Sequence, residues 1–145
     1  MIAANLMNSV LGGYFSSRLN LNLREQKGFT YGINSKLHND EYIGSFFISV
    51  NVRNEVTGQA INEIINELKR LREEKISEEE LQQVKNVISG NFSRSIEDPR
   101  TIARFALAIK KFNLPQDYFM THLQKVAAVT SDDILVMAGK YLQPE

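Results

Sequence analysis

Cysteine is absent from this 145-residue sequence, and histidine occurs only twice. Without cysteine the chain has no disulfide bond, no thiolate metal ligand and no cysteine nucleophile. Neither histidine belongs to an H-E-x-x-H motif or to the inverted H-x-x-E-H motif, which set two imidazoles beside a carboxylate on one helix face. We interpret His38 as a polar turn residue and His122 as a helix surface residue, with a site formed by both histidines as the alternative. The sequence therefore predicts neither a metal site nor catalytic residues in this chain.

An excess of charge and a long apolar run are also missing. The 17 basic residues balance the 17 acidic residues, so the chain has no general attraction to nucleic acid or to an anionic membrane. No apolar run approaches the roughly 18 residues of a membrane span, and residues 1–13 lack the basic segment of a signal peptide. With 43% hydrophobic residues, the composition predicts one soluble globular domain over residues 1–145.

Two segments in the first half of the chain show the alternation of β-strands. Residues 30–37 and 45–53 are separated by a polar turn at 38–41, and this pattern predicts a hairpin. Two helices precede the hairpin. The first carries Ile2 and Leu6 on one apolar stripe and is broken or bent at Gly12 and Gly13. The second is capped by Ser16 or Ser17, runs to about residue 27 and is ended by Gly28.

The second half of the chain is predicted to be helical. Apolar residues at helical spacing indicate a helix over residues 57–75. The later helices each have a start signal: a capping box at 77–80, a cap with a first-turn proline at 98–99, Pro115 for a short helix to about residue 126, and a capping signature at 130–133 for a last helix ending near Tyr141.

These elements give an α+β fold in which helices pack on a small antiparallel sheet. A two-stranded sheet buries little, and the chain begins within a helix and stops just after one. We therefore expect a truncated piece of a larger domain, with sheet strands missing at one or both ends. An open strand edge is a template for pairing, so self-association through residues 45–53 is also expected.

Two further patterns favour structural interpretations. Gly12-Gly13-Tyr14 has neither the preceding strand nor the following Gly-Lys-Ser/Thr of a phosphate loop, so a helix bend or close packing is preferred. A basic cluster is interpreted as a solvated helix face, with a positive wall facing an acidic ligand as the alternative. Its members are Arg94, Arg100, Arg104, Lys110 and Lys111. Because exposed aromatics are not interleaved with them, nucleic-acid binding is not predicted.

Arg24 and Tyr31 stand on either side of Gly28, where a helical pattern changes to a strand pattern. One interpretation places Arg24 at a helix C-terminus, where a cation is favoured, and Tyr31 in a strand as an ordinary aromatic residue. In the other interpretation, the helix end and the strand start converge and project a guanidinium and a phenol into one cleft. Their N–H and O–H donors could then hold a peptide carbonyl, or the oxyanion that it becomes.

Two motifs give the sequence a resemblance to a known family. Residues 8–19 read N-x-x-L-G-G-x-x-x-S-R-L, and residues 23–32 read L-R-E-x-x-G-x-x-Y-G. Together with I-S-E-E-E-L at 76–81 and V-T-S-D-D-I at 129–134, they resemble the second domain of a half-molecule in the insulinase/pitrilysin family of zinc peptidases. Mitochondrial processing peptidase and similar bacterial proteins belong to the same group. The resemblance covers nearly the whole chain.

The resemblance implies a specific role for this chain. In the family, two bowl-like halves face each other; one half binds zinc through its first domain, and the other contributes an Arg and a Tyr that contact the substrate near the metal. Arg24 and Tyr31 match the spacing of that pair, which implies that they bind a peptide or an unfolded protein segment. Because H-x-x-E-H is absent, the resemblance implies that zinc is bound by an upstream domain or a partner chain and that this chain alone is inactive.

The alternative is a non-catalytic structural or partner subunit, like the core proteins of the respiratory chain. The bacterial cytoplasm or periplasm and the mitochondrial matrix are all compatible with the sequence.

Overall fold

The computed structural model describes residues 2–39 and 44–143. It contains six α-helices in these ranges, two π-helical segments and one hairpin. The N-terminal part consists of α1 (Ile2–Asn8), the π-helical segments π1 (Ser9–Gly13) and π2 (Asn20–Gln26), and the strands β1 (Ile33–Asn39) and β2 (Gly44–Val50). A short 3₁₀ turn (Asn54–Val56) leads into α2 (Thr57–Glu73), α3 (Glu78–Ser95), α4 (Pro99–Lys111), α5 (His122–Ala128) and α6 (Ser131–Tyr141). The α+β fold predicted from the sequence is confirmed.

The hairpin is antiparallel, and its register runs from the pair Ile33 and Val50 to the pair Asn39 and Gly44. Half-buried and exposed residues alternate along β2 as predicted. Both strands are shorter at the open end than the sequence suggested, since β1 begins at Ile33 instead of residue 30 and β2 ends at Val50 instead of residue 53. The predicted turn at 38–41 is wrong for residues 38 and 39, which belong to β1, while residues 40 and 41 lie outside the described part of the chain.

The core lies between the N-terminal segments and the helices α2, α3 and α6. Helix α6 packs on α1 and α2, and β1 packs on π1. The largest fully buried side chains are mainly leucines at helical spacing, which is the pattern that predicted these helices. They are Leu6, Met7, Val10, Leu11, Leu19, Leu23, Leu71, Leu81, Val84, Val126, Ile134 and Leu142.

The predicted caps of α3, α4 and α6 are present, with one correction at α3. The predicted cap of the second helix by Ser16 or Ser17 is wrong, because neither hydroxyl accepts a described backbone N–H, and the helix predicted from Pro115 begins only at His122. Thr130 and Asp133 form the complete capping box of α6, because each side chain bonds to the backbone N–H of the other residue, at 3.2 and 2.8 Å. At α3, the Ser77 hydroxyl accepts from the Glu80 backbone N–H (3.1 Å). The Glu80 carboxylate does not bond back to Ser77, however, because it accepts two hydrogen bonds of 2.7 Å from the Arg18 guanidinium. The second half of the predicted capping box at 77–80 is therefore wrong.

The chain path at Gly12 depends on close packing. A Cβ atom on Gly12 would lie 2.7 Å from the Ser35 hydroxyl and 2.9 Å from the Ser35 backbone nitrogen. Only glycine lets β1 approach π1 so closely, and the close-packing interpretation of this motif is confirmed. The helical path ends at Gly13, within the glycine pair where the sequence predicts a break or bend, and the extended conformation begins at Tyr14. None of the helices in the described ranges is both long enough and apolar enough to cross a membrane.

Candidate functional site

Arg24 lies in the last turn of π2, and its side chain is held by neighbouring groups. The buried residues Leu19 and Leu23 anchor this stretch of helix in the core. The Arg24 guanidinium stacks on the Phe15 ring, with Cζ 3.4 Å from the ring centroid. Its Nη2 donates to the Glu25 carboxylate at 2.5 Å and weakly to the Phe15 carbonyl at 3.4 Å. The side chain is 14% exposed, so the guanidinium is fixed before any ligand arrives.

Gly28 turns the chain from π2 toward the hairpin. Its φ angle is +61°, in the left-handed region that favours glycine. The Phe29 N–H donates to the Leu23 carbonyl (2.8 Å), which closes the end of π2. This contact is one residue longer than the corresponding bond of an α-helical Schellman ending, as expected from the wider turn of a π-helix. The glycine stop predicted from the sequence is confirmed.

Tyr31 lies at the tip of the short connection between Gly28 and β1. The Thr30 hydroxyl accepts from the Gly32 N–H (3.2 Å) and donates to the Gly32 carbonyl (2.9 Å). These two bonds clamp the backbone on both sides of Tyr31 and leave its side chain fully exposed. Tyr31 is therefore not an ordinary strand aromatic residue, because it lies before the strand and contributes nothing to the core.

Asn20 ties π2 to the start of β1, and sequence reasoning did not identify it. Its buried side-chain amide donates to the Ile33 carbonyl (2.8 Å) and accepts from the Ile33 N–H (3.3 Å). The same amide nitrogen also lies within hydrogen-bond distance of Ser17 Oγ (3.1 Å) and the Tyr14 carbonyl (3.2 Å). Asn20 thus takes the place of a neighbouring strand and fixes where β1 begins. The available signal was an asparagine next to Leu19 and three residues before Leu23, on the helix face that these leucines bury, where a polar side chain requires partners.

Arg24 and Tyr31 line the same cleft, which has a volume of about 670 Å³. One wall comes from residues 28–31, and the other comes from the extended residues 51–53 that follow β2. Both side chains also line an adjoining cleft of about 280 Å³ that reaches Gly12, Gly13 and Asn20. The structure therefore brings together the two residues singled out from the sequence. Their role in binding substrate stays a prediction.

Basic and hydroxyl groups determine the electrostatics of the two clefts. The larger cleft is lined by Arg24 and Arg53, and none of its described lining residues is acidic. In the smaller cleft, partial burial raises the pKa of Tyr14, and the nearby Glu80 carboxylate raises it further. Tyr14 thus keeps its proton at neutral pH and remains a hydrogen-bond donor. The arrangement suits a ligand that offers oxygen acceptors.

The described residues do not fit a zinc ion. Across residues 2–39 and 44–143, no group of three or more His, Asp or Glu side chains is arranged to hold a metal. His38 is not a turn residue as expected, because it lies in β1 and stacks on Phe47 at 5.4 Å. His122 is not a simple surface residue either, because its half-buried ring lies against Phe92 at 4.6 Å. No catalytic step through zinc can be assigned to these side chains.

The basic cluster lies on and before α4, away from the larger cleft. All five of its side chains are exposed, as predicted for a solvated face. Arg100 bonds to Asp98 at 3.2 Å, and Arg104 donates to the Thr101 hydroxyl at 2.7 Å. These local contacts give no sign of a wall facing an acidic ligand.

Known proteins are similar to this chain in sequence and in fold. Residues 1–88 match the family described as "Peptidase M16 inactive domain". The "Probable inactive metalloprotease YmfF" of Bacillus subtilis is 24% identical over 143 residues, which cover 97% of this chain and 32% of that protein. The chain thus spans about a third of the length of this curated relative.

Solved structures share the fold over almost the whole chain. The peptidase M16 inactive domain from Pseudomonas fluorescens superposes with a TM-score of 0.89 at 24% identity, covering 98% of this chain and 34% of that one. A protease from Helicobacter pylori superposes with a TM-score of 0.81 at 21% identity, covering 98% and 34%. The resemblance to insulinase-type peptidases seen in the motifs at 8–19 and 23–32 is confirmed, and the chain belongs to the peptidase M16 inactive domain family.

Proposed function

We propose that this chain is a substrate-binding domain of a zinc metalloendopeptidase whose catalytic centre lies in another domain or in a partner chain. In this proposal residues 1–145 form a single domain of C-terminal type, and the substrate is a peptide or an unfolded protein segment. The observation that carries the proposal is that Arg24 and Tyr31 line one cleft from two different segments. The family and the length of the relatives support the presence of a partner domain.

The donors of the pair suit a peptide carbonyl. Only Nη2 of Arg24 is engaged by Glu25 and Phe15, and within the described residues neither Nε nor Nη1 of Arg24 has an acceptor. The Tyr31 hydroxyl likewise has no acceptor there. A guanidinium fork and one phenolic O–H can hold a carbonyl oxygen and stabilise negative charge that develops on it. Since Arg24 is already fixed on Phe15, little reorganisation is needed when the substrate binds.

Peptide binding and peptidase activity test this proposal in the assembled protein. Arg24→Lys keeps the charge but loses the fork, and Tyr31→Phe removes only the hydroxyl. Each change should lower kcat/KM by about 10²–10³, the range found for donors that act in a transition state. Thermal stability should be unchanged for Tyr31→Phe, since this ring is fully exposed. Full activity per folded molecule in both variants would contradict the proposal.

A non-catalytic structural or partner subunit is the second candidate function. It is favoured by the engagement of Arg24 with Glu25 and Phe15, which a purely structural helix end would also show. The two candidates differ in what Glu25→Gln should do. If Arg24 binds peptides, both the parent chain and Glu25→Gln should bind them, because Nε and Nη1 of Arg24 are still free to donate. A purely structural subunit should bind no peptide in either form, and Glu25→Gln should then change stability alone.

The outer edge of β2 is the proposed surface for pairing with another chain, including a second copy. Asn20 satisfies both backbone groups of Ile33, and Asn8 donates to the Ser35 carbonyl (3.2 Å), so the outer edge of β1 is covered at these residues. Backbone groups alternate in direction along an antiparallel pair. The partners of Ile33 and Ser35 in β2, Val50 and Ile48, therefore turn their N–H and C=O groups outward. A chain that remains monomeric at high concentration, with slowly exchanging Val50 and Ile48 amides, would contradict pairing at this edge.

A further inference from the structure

The larger cleft contains a second arginine that the motifs did not point to. Arg53 lines it together with Arg24 and Tyr31, on the wall formed by residues 51–53. None of the described residues that line this cleft has a carboxylate. Both arginines therefore line a space that has no acidic side chain on its described walls.

The two arginines differ in how their charge is balanced. Arg24 forms an ion pair with Glu25 at 2.5 Å. Within residues 2–39 and 44–143, no carboxylate oxygen lies within 4.0 Å of the Arg53 guanidinium. The net positive charge of the cleft thus comes mainly from Arg53.

The backbone of Arg53 is held in place although its side chain is exposed. The Arg53 carbonyl accepts from the Val56 N–H (3.1 Å) and from the Thr57 hydroxyl (3.3 Å). These bonds join the extended wall to the turn that starts α2. The guanidinium therefore projects from a fixed point beside the cleft, and its fork of N–H groups matches the two oxygens of a carboxylate.

We propose that Arg53 selects substrate segments that carry a carboxylate, which binds in this cleft next to the carbonyl held by Arg24 and Tyr31. This inference rests on the proposed function, because it names the chemical class of the substrate. The carboxylate is either an acidic side chain or the C-terminal carboxyl group of the peptide. Both groups offer the same two oxygens, and the peptides used in the test distinguish them.

The test measures fluorescence anisotropy of labelled short peptides bound to the purified chain. One series has an amidated C-terminus and carries a single Glu or Gln at matched positions, and a second pair of neutral peptides differs only in a free or amidated C-terminus. The carboxylate form should bind about tenfold more tightly at low ionic strength, as expected for one charge-assisted hydrogen-bonded contact. Added salt should reduce this preference.

The variant Arg53→Gln should lose the preference for carboxylate peptides, so that the ratio of carboxylate-peptide affinity to neutral-peptide affinity falls to unity. Arg100→Gln is the matched control, because it removes one exposed arginine on α4 outside this cleft, and it should keep the ratio. A preference that appears only for the free C-terminus supports the proposal and identifies the source of the carboxylate. An unchanged ratio in Arg53→Gln, or equal binding of carboxylate and neutral peptides, overturns this inference and leaves the proposed function standing. Failure of the chain to bind any of the peptides overturns both.

Discussion

The N-terminal region up to β1 and the segment from α4 to α5 are held by different kinds of contact. In the first, asparagine side chains bond directly to the backbone of a neighbouring element, as Asn20 does with Ile33 and Asn8 with Ser35. In the second, stacked aromatic rings make the connection: Phe105 lies 3.9 Å from Phe119 and 5.8 Å from Phe92 between ring centroids.

The two regions also differ in how many side chains they bury. The N-terminal region contributes several fully buried apolar side chains to the core, among them Leu6, Leu11 and Leu23. In α4 only Thr101 is buried, and Leu107 is 66% exposed. Hydrogen bonds to a buried backbone fix the path of the chain, because a shift leaves polar groups without partners. Stacked aromatic rings also have preferred geometries, but a shift of one ring leaves no buried polar group without a partner. The cleft lined by Arg24 and Tyr31 lies in the region where the first kind of contact occurs.

Among the changes that test this comparison, Asn20→Ala should lower the free energy of unfolding the most. The change leaves the Ile33 N–H and C=O buried and without a partner. Each buried polar group that loses its partner costs roughly 1–3 kcal/mol, so the free energy of unfolding should fall by about 3 kcal/mol. Urea denaturation measures the loss, and Asn34→Ala, at an exposed position of the same strand, is the control. A loss below that of the control would show that Asn20 does not hold the start of β1.

Gly12→Ala tests the close approach of β1 to π1. The added methyl group would meet the Ser35 hydroxyl and backbone nitrogen at 2.7 and 2.9 Å, and overpacking of this kind costs about 1–3 kcal/mol. Gly139→Ala is the opposite case, because no atom lies within 4 Å of a Cβ built there and the residue is in α6. That change should raise stability by about 0.5–1 kcal/mol, the difference between Gly and Ala in a helix. If both changes had the same sign, the packing argument for Gly12 would be wrong.

The parts of the fold that the sequence predicted depend on local patterns. The hairpin follows from alternation in β2, the caps at Ser77 and Thr130 from residues three positions apart, and the stop at Gly28 from a single glycine. The positions of Arg24 and Tyr31 on either side of that glycine offered a shared cleft as one of two interpretations, and the family resemblance favoured it. Each of these signals is contained within a short stretch of chain.

The parts that the sequence did not predict depend on contacts between distant residues. Glu80 bonds to Arg18 and not to its own helix cap, and nothing near Glu80 in the sequence indicates that partner. The π-helical segments have no side-chain pattern that separates them from α-helices in a short stretch. Arg53 lies beyond the end of β2 at Val50, in the stretch 51–53 that lines the cleft. The second arginine of the cleft therefore became visible only in three dimensions.

A smaller effect is expected in the aromatic segment. Phe105→Leu keeps an apolar side chain but removes stacking on Phe92 and Phe119. Aromatic pairs contribute about 0.5–1.5 kcal/mol beyond their area, so the loss should be about 1 kcal/mol. Phe112→Leu, at a 46% exposed position at the end of α4, should change stability less. Hydrogen exchange should also show faster opening of α4 than of β1 in the unmodified chain, and the reverse order would contradict the comparison.

The smallest expected effect is a dependence of stability on pH that arises from His122. Burial against Phe92 lowers the pKa of His122, and the positive charge of Lys125 lowers it further. The unfolded chain, with a histidine pKa of about 6.5, then binds more protons than the folded chain as the pH falls below that value. Folding is therefore favoured above about pH 6.5 and becomes weaker as the pH falls through it. Because the ring is only half-buried, solvent screening keeps the effect small.

His122→Phe retains an aromatic ring next to Phe92 and removes the titrating group, so its unfolding free energy should change less between about pH 7 and about pH 5 than that of the parent chain. Identical pH dependence in both proteins, measured by urea denaturation, would show that His122 titrates alike in the folded and unfolded states.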